Sequence, residues 1–483
     1  MKDTSCSSAD GSFTFTGINT AANQVIAIYF NGAAGGDKGV AYTRPVNNST
    51  NITGIRVFKD EVVLGSETAT GWTNANLETW DSDNDPDVPL TISGTTMTAP
   101  GETRIRINAG DAFTPTGTVT IPRLWVEGTY NGAPGETLTL TKGGDSACKG
   151  SSNMANHYAF CLETTGTFNA PTTTRVTSTS TTSLASGATY QTLSIEPTSG
   201  SPTINLGYSW NSPDSFAQTL VVGTGSAAVV ASAQENKFTV TGNTTINALA
   251  TINTENGGTF EANGNVTGAG ATGQTTGGTF RMRPGSGATV LFGPTSGSSD
   301  WEFNDLEIEH SGGGAATVRS AAGGTGSFRV LRNITVGRSS DSSNTTFDLE
   351  TNDRVLDVTW DLVITTRGTL LASSTATMLL AGDFSRASTG VFVPGTGTVS
   401  FYESTRPSKV DFTTTGQSFY NISITTPAKV VRFDYSETTT ITNNLTVDGG
   451  ACGTRVGIAS TREADDAPPR RAGNREHPVR RHP

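Results

Sequence analysis

The sequence predicts an all-β protein in which most of the chain forms a parallel β-solenoid, a stack of short strands wound into coils. Apolar and polar residues alternate along short segments nearly everywhere, as in the alternate apolar positions that run from Leu356 through Trp360 to Ile364. Gly, Asn and Ser interrupt these segments, which is typical of tight turns between strands. Helical periodicity is almost absent: the best candidate, 226–236, spans barely three turns and also fits a strand.

Length and composition exclude several classes of protein. The 483 residues are more than one compact core usually holds, so we expect several cores or an elongated repeat. Hydrophobic residues make up 34% of the chain and charged residues 16%, which excludes a helical bundle, and Gly and Pro are too few for collagen. The chain has no apolar run of about 18 residues, so we predict no membrane insertion. The net charge of −11 argues against nucleic acid as a partner.

Residues 1–98 differ from the rest of the chain in having longer strand-like segments separated by irregular loops. This pattern predicts a β-sandwich-like domain. Residues 99–170 hold the first repeat-like β turns, because AFTPTGTVT at 112–120 is similar to VFVPGTGTVS at 391–400. Residues 171–187 are rich in Ser and Thr, and we predict that they form a linker, with a poorly packed excursion as the alternative.

Residues 188–451 are repetitive, and the repeat is the most informative feature of the chain. Three segments that are 113 and 116 residues apart share an aromatic residue followed, three and five positions later, by aliphatic residues; they begin at Tyr190, Phe303 and Phe419. A second motif places an Asn after an apolar-x-apolar step, at Asn243, Asn333 and Asn444. A period near 115 residues is too long for one coil, so we interpret it as several coils of about 20–25 residues that stack to bury their apolar faces. A string of sandwich modules is the alternative, and it explains the short strands less well.

Three segments carry a resemblance to a known class of proteins. GVFVPGTGTVSF, QSFYNISI and TTTITNNLTVDGG resemble the repeats of very large bacterial cell-surface proteins of β-solenoid, adhesin-like type, and the likeness spans residues 100–450. It transfers no catalytic residues. It implies an extracellular or cell-surface location, a non-enzymatic structural or adhesive role, and a surface polysaccharide or another cell-surface protein as partner. A carbohydrate-binding or polysaccharide-cleaving β-helix is the first alternative, and a phage or virion fibre the second.

The two termini depart from that class. The first residues lack the apolar core of a signal peptide, so we expect the chain to be a fragment of a larger one. Residues 452–483 contain no aromatic residue and four prolines, and from Arg455 onward seven arginines stand against four acidic residues. This composition predicts a disordered tail, with a polyanion-binding tail as the alternative.

An acidic run, DSDNDPD, is the strongest chemical motif. Its aspartates stand at alternate positions, where their carboxylates can converge on one calcium ion: Asp81, Asp83, Asp85 and Asp87. The run resembles the calcium loops of EF-hands and thrombospondin-type repeats. However, Pro86 stands where the EF-hand turn needs Gly, and Ile92 stands where it needs a bidentate Glu. A solvated acidic turn is therefore the favoured alternative, and no other cofactor is expected.

The four cysteines form no Cys-x-x-Cys pair. Cys148 and Cys161 are close enough in sequence to close one loop by a disulfide, which persists in an exported protein and not in a reducing cytosol. The alternative is a zinc site in which His157, with Asp145 or Glu163, joins both cysteines. Its spacing fits no established zinc finger.

Two further groups of residues are candidates for contacts with carbohydrate. The segment 301–310 holds carboxylates suited to acid and base roles, with Arg283 or Arg329 on adjacent coils: Glu302, Asp305, Glu307 and Glu309. Alternation places Glu307 and Glu309 opposite the apolar residues of the strand, which favours a solvated face, so no enzymatic activity is expected. Three tryptophans are candidates for stacking on sugars, although burial is the commoner environment of Trp: Trp72, Trp80 and Trp210.

Overall fold

The computed structural model describes residues 12–30, 36–67, 71–78, 86–143, 158–208, 213–273, 277–413, 416–450 and 454–461. The chain divides into two compact units. The first unit runs to Arg283 and adds Val290–Asn304 and Gly323–Thr325. The second unit comprises Pro284–Thr289, Asp305–Ala322 and the chain from Gly326 onward.

Both units are built from coils of a parallel β-solenoid, about 17 turns in all, which confirms the predicted all-β solenoid fold. Helix makes up about 1% of the described residues. A short helix, α1, spans Asn74–Glu78. The segment 226–236, for which the sequence left a helix and a strand open, contains a strand over Val229–Gln234.

The strands of the first unit follow one another closely. In chain order they are β1 (Ile26–Tyr29), β2 (Val40–Thr43), β3 (Glu61–Leu64), β4 (Gly71–Trp72), β5 (Thr91–Ser93), β6 (Thr96–Thr98), β7 (Arg104–Ile107), β8 (Ala112–Phe113), β9 (Val119–Ile121), β10 (Arg123–Val126), β11 (Thr129–Asn131), β12 (Thr137–Leu140), β13 (Tyr158–Leu162), β14 (Thr167–Asn169), β15 (Thr173–Val176), β16 (Thr182–Ala185), β17 (Thr189–Ile195), β18 (Thr203–Tyr208), β19 (Ser215–Val222), β20 (Val229–Gln234), β21 (Lys237–Val240), β22 (Thr244–Ile246), β23 (Ala250–Glu255), β24 (Thr259–Ala262), β25 (Val266–Gly268), β26 (Ala271–Gly273), β27 (Thr279–Met282), β28 (Thr289–Pro294, whose first residue lies in the second unit) and β29 (Trp301–Phe303).

The strands of the second unit are equally short. In chain order they are β30 (Asp305–Ile308), β31 (Ala316–Ser320), β32 (Phe328–Val330), β33 (Ile334–Val336), β34 (Thr345–Asp348), β35 (Leu356–Val358), β36 (Leu362–Ile364), β37 (Gly368–Leu371), β38 (Thr377–Leu380), β39 (Phe384–Arg386), β40 (Val391–Val393), β41 (Thr398–Phe401), β42 (Ser408–Phe412), β43 (Gln417–Ile424), β44 (Val430–Phe433), β45 (Thr439–Val447) and β46 (Gly457–Ser460).

Sheets run across the coils of the first unit. One of them, here called sheet A, has eleven strands in the order β1-β2-β3-β7-β10-β13-β16-β18-β20-β23-β26. A second sheet has the order β14-β11-β8-β4, and a third includes β5, β6, β9, β12, β15, β17 and β19. Among the described strands of this unit, β1 with β2 and β5 with β6 are antiparallel, and the other pairs are parallel.

Apolar side chains stack in register inside each unit. In the first unit Phe238, Phe260 and Phe280 occupy the same position on consecutive coils, with ring centroids 6.3 and 5.0 Å apart, and all three are fully buried. In the second unit a buried column follows one row of strands: Leu306, Ile334, Leu362, Phe384 and Val410. Each inward position is thus covered by its equivalent on the neighbouring coil, about 4.8 Å away.

A ladder of Asn and Asp side chains links successive coils at one corner. In the second unit each Oδ1 accepts the backbone N–H of the next member, at 3.1, 3.4, 2.9 and 2.8 Å, in the order Asp305, Asn333, Asp361, Asp383 and Lys409. In the first unit Asn243 accepts from Asn265 at 3.2 Å. The ladder gives the recurring Asn243 and Asn333 a physical role, because each satisfies a backbone donor at a turn. Asn444 is different, since its amide donates to Thr446 on the same strand.

The segment 171–187 is not a linker, so this prediction is wrong. It contains β15 and β16, and β15 pairs in register with β12 on one side and with β17 on the other. Thr174 and Thr182 are each 1% exposed. Threonine is common in strands, because its β-branched side chain packs well against the adjacent strands. A Ser/Thr-rich composition therefore does not distinguish a linker from a strand.

The predicted β-sandwich over 1–98 is supported in part. β1 lies antiparallel to β2, which makes sheet A a mixed sheet. However, β2 already pairs in parallel with β3, and β3 with β7, so parallel coils begin well before residue 99. The N-terminal strands therefore belong to the same sheet as the coils that follow.

Part of the predicted tail over 452–483 is a strand. β46 pairs in parallel with β44, because Val456 and Ile458 continue the alternation for one more short strand. Residues 451–453 and 462–483 lie outside the described residues.

Candidate functional site

The predicted calcium ligands fall mostly on residues that the structure does not describe. Asp81, Asp83 and Asp85 lie outside the described residues, and Asp87 is partly exposed. Within the described ranges no group of three or more His, Cys, Asp and Glu side chains could hold a metal ion. Calcium binding by the acidic run therefore stays a prediction.

Cys161 is 4% exposed and disulfide-bonded. Its predicted partner, Cys148, lies outside the described residues, as do His157 and Asp145. The zinc alternative needs Cys161 as a free thiolate, which the disulfide does not leave. Glu163, the other zinc candidate, accepts a hydrogen bond from Trp125 Nε1 at 3.1 Å.

The carboxylates of 301–310 have several different environments. Asp305 belongs to the corner ladder, and Glu307 is half-buried on the outward face of β30, as alternation predicts. Glu309, for which a solvated face was expected, is only 7% exposed and lies 3.7 Å from Arg338 Nη1. The two candidate arginines lie near other acids. Arg283 Nη1 is 3.9 Å from Glu261 Oε1, and Arg329 Nε is 3.8 Å from Asp357 Oδ2.

Of the tryptophans proposed to stack on sugars, Trp72 is fully buried, so it cannot serve as a platform. Its ring packs 6.4 Å from that of Tyr42. Trp80 and Trp210 lie outside the described residues.

Trp360 is the exposed tryptophan that the sequence pattern missed. Alternation places it inward, yet it is 46% exposed, because β35 ends at Val358 and the residue lies in the turn before β36. The guanidinium carbons of Arg332 and Arg406 lie 5.7 and 5.3 Å from its ring centroid. These two cations already occupy positions over the ring, which reduces its value as a stacking surface.

A cleft in the first unit is a candidate binding site. Its volume is about 280 Å³, and it lies between the segment 52–58 and the outward face of sheet A, where β2, β3 and β7 run side by side. The side of the cleft that the segment 52–58 forms carries Ile52, Ile55 and Phe58. The opposite side carries polar groups from three loops and strands: Ser66, Glu67, Arg106, Asn108 and Asp111.

Asp111 is the fixed polar group of this cleft. It is only 3% exposed, and its carboxylate accepts hydrogen bonds from Ser66 N at 3.0 Å, Ser66 Oγ at 2.5 Å and Trp72 Nε1 at 3.3 Å. Arg44 lies over the Trp72 ring, 4.5 Å from its centroid. Burial lowers the pKa of Arg44, and the attraction of Asp111 opposes that shift.

Arg106 is the fixed cation of the cleft. Its Nη2 donates to Glu127 Oε1 at 2.9 Å, and its Nε donates to Glu127 Oε2 at 3.3 Å, which sets the plane of the guanidinium. The guanidinium carbons of Arg104 and Arg106 lie 4.4 and 4.6 Å from the Trp125 ring centroid. Burial, with the repulsion of Arg123 and Arg106, lowers the pKa of Arg104 to about 10. Arg106 is thus held from two sides.

The cleft residues carry no signal that is visible in the sequence. Ser66 and Asp111 are 45 residues apart, and only the winding of the coils brings them together. Comparison with protein-family models, with curated proteins and with solved structures returns no match.

The described part of the chain contains no helix that is long and apolar enough to cross a membrane.

Proposed function

We propose that this protein is a non-enzymatic scaffold of the cell surface or extracellular space and that it adheres to surface polysaccharide. The proposal follows from what the coils present on their outer faces, and it needs no catalytic group. The second partner class predicted from the sequence, another cell-surface protein, would use the same faces.

In-register rows of threonine carry the proposal. In the first unit four half-exposed threonines pair across consecutive strands: Thr137, Thr173, Thr192 and Thr219. In the second unit Thr317, Thr346 and Thr369 form a similar row. Equivalent hydroxyl groups therefore recur at the inter-strand spacing of about 4.8 Å. Such an array suits a polymer of repeating sugars, because many weak contacts act together on one chain.

The disulfide at Cys161 supports an extracellular location. Disulfides persist in oxidising compartments and are rare where glutathione keeps thiols reduced. Labelling of intact source cells with antibodies against the first unit tests the location. We expect the same signal before and after permeabilisation, and a signal that needs permeabilisation contradicts the proposal.

Cosedimentation with insoluble polysaccharides, such as cellulose, chitin and bacterial cell-wall glycan, tests the adhesive role. The full chain should sediment with at least one of them. Replacing the four threonines of the first-unit row by valine keeps the β-branched shape and removes the hydroxyls, so it should weaken binding severalfold. Failure to sediment with any polysaccharide, or unchanged binding by the valine variant, contradicts this role.

A further inference from the structure

We propose that the cleft between 52–58 and the outward face of sheet A binds a single neutral sugar ring, such as the terminal residue of a glycan. The inference rests on the proposed adhesive function and gives it a defined ligand class. It differs from the threonine rows in kind, because the rows offer repeated contacts along a polymer, whereas the cleft offers one concave position.

The size of the cleft limits the ligand to one ring. Its volume of about 280 Å³ lies just below the range of small-molecule sites in proteins, which is roughly 300–1,000 Å³. A longer oligosaccharide would have to leave the cleft after its first residue. A terminal sugar is therefore the form of glycan that fits.

The two sides of the cleft match the two kinds of surface on a sugar ring. A pyranose presents C–H groups on one face and hydroxyl groups around its edge. The segment side offers Ile52, Ile55 and the Phe58 ring, which is 37% exposed. Aromatic and aliphatic side chains cover the C–H face. The opposite side offers the carboxylate of Asp111 and the guanidinium of Arg106. The carboxylate can accept hydrogen bonds from sugar hydroxyl groups, and the guanidinium can donate hydrogen bonds to them.

The polar side is built in advance of any ligand. Three hydrogen bonds hold Asp111, and the bidentate contact with Glu127 holds Arg106. A Cβ atom on Gly65 would lie 2.3 Å from Asn108 Nδ2, so glycine at this position makes room for the Asn108 amide. A site with fixed polar groups loses little freedom when a ligand binds.

The charges of the cleft favour a neutral sugar over an acidic one. Arg56 and Arg106 are matched by Glu67 and Asp111 among the residues that line it. Arg106 is also neutralised by Glu127. A uronate or a phosphate would therefore meet no net positive charge, whereas hydroxyl groups can use both signs.

Saturation-transfer NMR on the full chain tests the inference with millimolar glucose, galactose, mannose, N-acetylglucosamine and glucuronate. We expect transfer to the C–H protons of at least one neutral sugar and none to glucuronate. Phe58→Ala should weaken binding at least tenfold, because it removes the ring from an exposed position. Trp360→Ala, the matched removal of an exposed aromatic residue in the second unit, should leave binding unchanged.

A second variant tests the polar side without touching the apolar one. Gly65→Ala should displace the Asn108 amide and weaken binding severalfold, while the folded state is checked by circular dichroism. Transfer to no sugar, transfer to glucuronate alone, or equal binding by wild type and Phe58→Ala overturns the inference. Loss of binding in Trp360→Ala would place the site at that corner instead and also overturns it. Cell-surface labelling without sugar binding rejects the cleft alone, and sugar binding without surface labelling rejects the surface role alone.

Discussion

The first strands of the first unit and the last strands of the second unit differ in how their apolar residues are covered. β1 lies antiparallel on β2, where Val40 and Tyr42 are at most 1% exposed. At the end of the second unit β45 pairs in parallel with β43 across one shift in register, yet Leu445 is 46% exposed while its partner Ile422 is 1% exposed. The two residues have the same position in the pattern and differ only in their neighbours. Burial in these coils thus depends on having a coil on each side.

One edge of β45 is open among the described strands. Among the described strands, none pairs with β45 on the side away from β43. An open edge of this length invites pairing with another strand, and polar side chains reduce that tendency. Asn443 and Asn444 lie in the middle of the strand.

Truncation of the register pair Ile422 and Leu445 gives the largest expected difference. Ile422→Ala should lower the free energy of unfolding of the second unit by about 2–5 kcal/mol, because it leaves a cavity between two coils. Leu445→Ala should cost less than about 1 kcal/mol, since nearly half of the side chain is already in water. Urea denaturation followed by fluorescence measures both. Equal losses would show that the last coil is covered as fully as the one before it.

Lys429 provides a test of burial close to the open end. It is fully buried, and its Nζ donates to Ala381 O at 2.6 Å and to Arg406 O at 3.1 Å. Burial, with the repulsion of Arg406, lowers its pKa from 10.5 to about 8. Between these two values the unfolded chain binds more protons than the folded one, so stability should rise with pH across this window.

The matched variant for this test is Lys429→Met, which has no ammonium group to titrate. Between pH 8 and pH 10.5 the denaturation midpoint of wild type should rise relative to that of the variant. A difference that stays constant over this range would mean that the lysine is solvated in the folded state.

The corner ladder gives the smallest expected effect. Asp361→Ala should cost about 1–3 kcal/mol, because the backbone N–H of Asp383 loses its acceptor. Asp361→Asn keeps Oδ1 and should recover most of that loss. Asp434, near the open end, accepts from Ser436 N at 3.0 Å on its own turn, and Asp434→Asn should cost less than about 0.5 kcal/mol. Thermal unfolding of the three variants measures the order of these losses. Asp361 also forms an ion pair with Arg406, and a loss in Asp361→Asn as large as that in Asp361→Ala would assign the effect to that ion pair.

The sequence predicted the coils well because alternation and recurrence are local. The aliphatic residues that follow Tyr190, Phe303 and Phe419 in the repeated motif are at most 1% exposed, as predicted. Trp360 was misplaced because alternation does not show where a strand ends. The Ser/Thr-rich segment 171–187 was misread because strands and linkers share that composition.

The candidate site could not be predicted from the sequence, and the reason is different. Asp111, Ser66 and Phe58 come together only through the parallel register of β2, β3 and β7, and none stands in a motif. The corner ladder was half visible: Asn243 and Asn333 were recognised as a repeated Asn. Asp361 has the same role but was not recognised, because the motif was defined by Asn and not by any side chain with an acceptor oxygen.

Amide hydrogen exchange along the second unit is the most direct test of the account. Opening of the outermost coil requires no other coil to open, so protection should fall towards the open end. We expect the amides of β41 and β43 to exchange slowly and those amides of β45 that point away from β43 to exchange almost as fast as in an unfolded chain. Protection of these β45 amides equal to that of β43 would show that another strand covers the edge, and it would contradict the claim that burial here depends on the neighbouring coil.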